Sequence, residues 1–210
     1  LLSYIIAIPL GIISSLKPYS IQDYTATGLA FLTAASPSFF LGMIFIYLFT
    51  VKLGWFPMGG MYDSGMAGSL PSLLRHLIMP AVALALPQVG STMRYVRGSM
   101  LEVLGEDYVR TAKAKGLKQK RVVWIHAFRN ALIPVVTNFG TSLPFLIGGA
   151  VVTEQVFSWS GLGMLMVTSI GARDYPVIMG ITVVVATFVL IGNLIVDLLY
   201  GVLDPRIRFD

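Results

Sequence analysis

Few residues in this 210-residue chain could make or break a covalent bond. There is no cysteine to act as a thiolate nucleophile, metal ligand or disulfide partner. His76 and His126 stand alone, without the clustering of a metal site. No GxxxxGK[ST] stretch occurs, so the chain carries no recognisable phosphate cradle. The residues whose types and spacing could do work lie between Gly105 and Asn130, GEDYVRTAKAKGLKQKRVVWIHAFRN, and the work is docking. Glu106 and Asp107 open a short helix and Lys113 and Lys115 close it, the order that suits the helix dipole. Glu106 and Arg110 are four apart in the favourable acid-first order. Gly116 is placed to end the helix in a left-handed conformation. Val109, Ala112 and Gly116 share a face of small side chains onto which another backbone or a pocket wall can close. A second amphipathic stretch, about Lys118 to Arg129, leads into an apolar run. The polar segment 97–130 is longer than a helix–helix connection of about 2–8 residues needs. A partner-docking element therefore fits it better than a solvated loop.

The elements that must position this segment are membrane spans. The chain is 56% hydrophobic and only 12% Asp, Glu, Lys and Arg, where a soluble domain carries about 25%. The charges cluster and leave uncharged runs at Tyr24–Val51, His76–Met93, Asn130–Thr153 and Tyr175–Val196. A bilayer core takes roughly 20 apolar residues per helix, so each run is a candidate span. Leu1–Leu16 reads as the tail of another, in an expected fragment of a longer chain. The fold class is thus an all-α polytopic membrane protein, with residues 1–210 as a single transmembrane domain of about five spans.

Prolines punctuate the spans. Ser36-Pro37-Ser38 sits near the middle of the second, where a tolerated kink with a serine hydroxyl on the freed carbonyl is expected. Pro80 and Pro87 are expected to break the third, about His76–Tyr95, and Pro134 and Pro144 fall in the fourth, about Ala131–Val152. Residues 52–75 and 154–174 read as extracytoplasmic loops, the second holding a short amphipathic or re-entrant helix. Charge sets the orientation. Lys17, Arg206, Arg208 and the nine basic residues from Arg94 to Arg129 fall on one side, against Lys52, Arg75 and Arg173 on the other. That asymmetry puts 97–130 and the C-terminus in the cytoplasm. The net charge of +5 is spent on orientation; no base-reading module accompanies it, so no nucleic-acid partner is expected.

YVRTAKAKGL followed by RNALIP resembles the cytoplasmic loop of permease subunits of ATP-binding-cassette importers, in the oligopeptide/dipeptide (peptide/nickel) branch. VFSWSGLG, RDYPVIMG and NLIVDLLYGVLDPRIRFD resemble the C-terminal half of the same branch. The general importer motif runs Glu-Ala-Ala, three residues, Gly. Here Arg110-Thr111-Ala112 precede Gly116 by the same spacing, and the motif's glutamate is replaced. The resemblance implies a type I importer transmembrane domain, with five of six spans present and an N-terminal truncation. It assigns ATPase docking to Asp107, Tyr108, Arg110, Thr111, Ala112, Lys113, Ala114, Lys115, Gly116, Leu117 and Lys118.

The resemblance also implies a multi-pass subunit of a bacterial or archaeal cytoplasmic (inner) membrane. Its partners would be lipid, a second homologous permease subunit, cytoplasmic ATPase subunits and an extracytoplasmic substrate-binding protein. The chain itself would bind no cofactor and be no enzyme, ATP and Mg belonging to the ATPase subunits. Di- or oligopeptides are the expected substrates, with nickel complexes or glutathione as alternatives. Candidate translocation-path residues are the uncharged polar ones within spans: Ser36, Gln88, Ser91, Asn138, Thr141 and Ser142. Each could equally be a helix–helix hydrogen bond. An ion-gradient-driven transporter or channel is the competing reading; it would usually show charges mid-span, and none falls there. Asp197 is expected near Arg206 or Arg208, and Glu154 and Asp174 to flank the external loop where a delivered substrate or binding protein could touch.

Overall fold

The computed structural model describes residues 1–118, 121–147 and 151–203. Nine α-helices account for most of them: α1 (Leu2–Leu16), α2 (Ile21–Ala35), α3 (Ser38–Phe45), α4 (Leu70–Gly105), α5 (Asp107–Ala114), α6 (Phe128–Ile147), α7 (Val151–Val156), α8 (Leu162–Ala172) and α9 (Tyr175–Leu203). Two π-helical stretches, Ile46–Lys52 and Val122–Ala127, run directly into or out of their neighbours. No strand occurs among the described residues.

α4 is the frame of the molecule. Its 36 residues would span about 54 Å at 1.5 Å per residue, well beyond a hydrocarbon core of about 30 Å. It is long enough to extend past one face of such a core, and its last turns, from Arg97 to Gly105, begin the 97–130 segment. Contrary to expectation, Pro80 and Pro87 do not break it. Pro80 is buried beside Met79 and Ala83, which pack on Phe157 with Phe45, Phe49 and Phe56 around them. The helix stays continuous past both missing amide donors. The expected span His76–Tyr95 is the interior of this longer helix, so Arg94 and Arg97 lie inside it.

Pro37 does the reverse. Ser36 is extended, with φ −89° and ψ 125°, as sterics before a proline demand. α2 and the Ser38–Lys52 helix consequently meet at 101°, a sharper break than a tolerated kink. The Ser36 hydroxyl donates to the Leu32 carbonyl at 2.7 Å, as expected of a serine at such a break. Among the described residues, α4 and α9 are long and apolar enough to cross a membrane alone, and the bent pair qualifies only as a unit. α1, at 15 residues, is shorter, and α6 (Phe128–Ile147) covers most of the run expected as the fourth span, Ala131–Val152, without counting among the helices that cross alone.

α1, α2 and α4 form one tight body. Gly90 on α4 meets α2 so closely that a Cβ there would stand 2.6 Å from Thr33 Oγ1 and nearer still to the Ala30 carbonyl oxygen. Gly11 on α1 lies against Val96 and the Met93 carbonyl in the same way. A core of Tyr4, Ile12, Val96, Met100, Val123, Ala127, Ala131 and Val135 joins α1 and α4 to the second π-helical stretch and α6. At the opposite end residues 52–75 and 154–174 meet: the Gly60 amide donates to the Phe157 carbonyl at 2.8 Å, and the buried Phe157 ring fills the space above Gly42. α8 is apolar rather than amphipathic, and the Glu154 carboxylate accepts from the Met164 amide at 2.7 Å in its first turn. Asp174 similarly accepts from the Val177 amide at 3.3 Å, so both acids flanking this loop cap helices of their own chain.

Candidate functional site

α5 is set at a corner. Glu106, in extended conformation, ends α4, and its carbonyl accepts the amides of Val109 and Arg110 to begin α5. Gly116 closes the short helix with φ +76°, the left-handed region that glycine enters without steric cost. The Leu117 amide returns to the Ala112 carbonyl at 3.4 Å. Arg110 pairs with Asp107 at 3.6 Å in place of the expected Glu106, because Glu106 lies before the first turn. Both side chains are largely exposed, so the pair adds little.

The small-residue face is turned inward. Val109 and Ala112 are buried with Val122, and Val103, Leu104 and Leu117 close around them. This face fastens α5 to the end of α4 and to the segment leading into α6. The outward surface is made by Asp107, Tyr108, Arg110, Thr111, Ala114, Lys115, Gly116 and Lys118, all exposed, with Leu117 half-buried. The Lys113 side chain lies outside the described residues. Asn130 Nδ2 donates to the Tyr108 hydroxyl at 2.8 Å, a second tie from α5 to the start of α6. Val109→Asp is expected to detach α5, since a carboxylate in a wholly buried site has no partner. Amide exchange across 107–114 should rise by an order of magnitude or more, while the α4 interior keeps its protection.

Of the expected path residues, two come together. Gln88 on α4 and Asn138 on α6 share a polar cluster with Tyr4 on α1 and Thr92 on α4. The Tyr4 hydroxyl donates to Asn138 Oδ1 at 3.0 Å and Gln88 Nε2 to Thr92 Oγ1 at 3.2 Å, while Gln88 Nε2 and Thr92 Oγ1 each reach Asn138 Oδ1 at 3.5 Å. Thr92 is fully buried, whereas Gln88 and Asn138 stay partly open. Ser91 donates to the Gln88 carbonyl and Ser36 to that of Leu32, each within its own helix. The side chains of Thr141 and Ser142 lie outside the described residues. Tyr4 and Thr92 were missed, Tyr4 because it reads as one aromatic in an apolar run and Thr92 because it reads as an ordinary span residue.

Sequence reasoning also missed the strongest electrostatic contact. Arg97 on α4 grips Asp23 on α2 with two bonds, Nε to Oδ1 and Nη2 to Oδ2, both 2.6 Å. Asp23 additionally accepts from the Ser14 hydroxyl on α1 and from the Tyr19 amide at 2.8 Å. One buried carboxylate thus ties three helices together at the end of the bundle nearest α5. Asp197 is exposed on α9, and its expected partners Arg206 and Arg208 fall outside the described residues.

The chain matches, over residues 7–209, the family described as binding-protein-dependent transport system inner membrane component. It belongs to that family. It is 48% identical over 209 residues to the oligopeptide transport system permease protein AppB of Bacillus subtilis (strain 168), covering 100% of this chain and 66% of that protein. Against the dipeptide transport system permease protein DppB of Escherichia coli (strain K12), identity is 42% over 224 residues, with 97% and 66% covered. Against the di/tripeptide transport system permease protein DppB of Pseudomonas aeruginosa (strain UCBPP-PA14) it is 44% over 216 residues, with 94% and 64% covered. The chain therefore spans just under two thirds of the length of these relatives. Membership in an inner membrane family accounts for the apolar exterior of α9, where Met179, Val183, Leu190 and Leu194 are all exposed.

Proposed function

We propose that this chain is one transmembrane permease subunit of an ATP-driven importer of di- or oligopeptides. The observation that carries the reading is α5: a short helix fastened by its apolar side to α4 and α6, with a polar outer surface left for a partner. Residues 107–118 of that surface dock a cytoplasmic ATPase subunit, and segment 97–130 is its cytoplasmic coupling loop. Residues 52–75 and 154–174 face outward, toward a substrate-binding protein. A second homologous permease subunit completes the path, and the C-terminus is cytoplasmic. The relatives are named for peptides, which favours peptides over nickel complexes or glutathione.

Closure of the ATPase subunits on ATP would pull on α5. Because α5 packs on both α4 and the segment leading into α6, the pull passes to two helices at once. α4 moves with α1 and α2, to which Gly90, Gly11 and the Asp23–Arg97 pair lock it. The polar cluster of Tyr4, Gln88, Thr92 and Asn138 is where that body meets α6. ATP biases the inward–outward equilibrium only through contacts that differ between its states, and this seam supplies them. ATP hydrolysis takes place in the ATPase subunits, not in this chain. The test is uptake of a labelled peptide into proteoliposomes holding the assembled importer. The expected result is uptake that requires ATP and binding protein with no ion gradient present. Uptake driven by an imposed ion gradient without ATP would establish a secondary transporter instead.

A further inference from the structure

Two arginines lie one turn apart on α4 and are treated differently by the fold. Arg97 is neutralised by Asp23. Arg94 makes no ion pair or hydrogen bond among the described residues; its buried Nε has no partner, and its guanidinium carbon stands 4.5 Å from the centre of the Phe31 ring on α2. An arginine toward the end of a spanning helix is kept where it can reach water or a ligand. Arg94 is only partly buried, and its strip of α4 is polar. Gln88, Ser91, Arg94, Tyr95 and Glu102 follow one another along it at helical spacing, none of them buried. The opposite strip, Val89, Met93, Val96 and Met100, is buried against α1 and α2. On α9, by contrast, the outward residues are apolar, as contact with lipid tails requires. The α4 strip is therefore built to face water, and it runs about 9 Å from Gln88 in the polar cluster to Arg94.

We propose that Arg94 is a carboxylate-binding residue of the translocation path, receiving the C-terminal carboxylate of a peptide as it moves from Gln88 toward the coupling end. This rests on the peptide-importer reading above. The Phe31 ring holds one guanidinium face by a cation–π contact. The free N–H groups are left in the planar fork that matches a carboxylate with two hydrogen bonds. With Asp23 already spent on Arg97, no acid competes for the fork among the described residues.

The experiment uses the full importer in proteoliposomes, supplied with ATP and with binding protein saturated in advance. Each vesicle set receives either a labelled tripeptide with a free C-terminal carboxylate or the same tripeptide as its C-terminal amide. Wild type should import the acid faster than the amide, and Arg94→Gln should lower the acid rate to near the amide rate, shrinking the ratio on the order of tenfold. Arg94→Lys keeps the charge without the fork and should fall between the two; it carries the test if the glutamine variant does not assemble. A ratio unchanged in both variants overturns the proposal. So does an equal loss for both peptides that vanishes in vesicles lacking anionic lipid, which would make Arg94 a headgroup anchor. Wild type importing neither peptide with ATP would overturn the importer reading and this proposal with it.

Discussion

Gly90→Ala is expected to push α2 off α4 and to cost the folded protein about 3 kcal/mol, the upper end of the usual overpacking range. Alanine is the better helix former by about 1 kcal/mol, so propensity alone predicts the opposite sign. Packing decides. The new methyl group would lie 3.0 Å from the Ala34 amide nitrogen, 2.6 Å from Thr33 Oγ1 and closer still to the Ala30 carbonyl oxygen, and backbone atoms cannot swing aside as a side chain would. Gly98→Ala on the same helix meets nothing within 4 Å and should be neutral or mildly stabilising. Thermal unfolding of the two variants in detergent checks the contrast. Equal midpoints would mean that the α2–α4 contact is not as close as described.

The second large effect belongs to Asp23. Asp23→Asn removes the charge that faces Arg97 while nearly preserving shape, and is expected to destabilise the bundle by about 3 kcal/mol. That is the lower end for a broken buried pair, because the Arg97 side chain keeps 22% exposure and the Asp23 side chain only 3%. Removing both partners is cheaper than removing one, so adding Arg97→Gln should recover part of the loss. The double variant measured beside each single separates this coupling from simple loss of polarity. Additive losses would show that the two side chains do not act as a pair.

These two contacts explain what could and could not be read from residues alone. The membrane class was legible because charge and apolarity segregate along the chain. So was α5: acids at its start, lysines at its end and a glycine after it are local signals, and Gly116 does adopt a left-handed backbone. The direction of its Val109–Ala112 face was not legible, because only the fold brings Val122 and Leu104 against it. Prolines misled in both directions. Pro80 sits where Phe157 and its neighbours pack on Met79 and Ala83, and the helix runs on through Pro87, while Pro37 breaks a helix where Ser36 is extended. Gly90 meeting Ala30, and Arg97 meeting Asp23, join positions far apart in sequence with no periodic signature. Of the polar span residues, Gln88 and Asn138 could be named but their meeting could not, since Tyr4 completes the cluster from another helix.

The proposed transmission of the ATPase stroke through α5 and its glycine terminus can be measured as ATP-driven peptide uptake with Gly116→Pro and Gly116→Asn. Proline is locked near φ −65° and cannot occupy the +76° that Gly116 adopts, whereas asparagine tolerates a left-handed backbone. The proline variant should assemble but import no peptide, while the asparagine variant should import at close to the wild-type rate. Wild-type uptake by the proline variant would contradict that transmission.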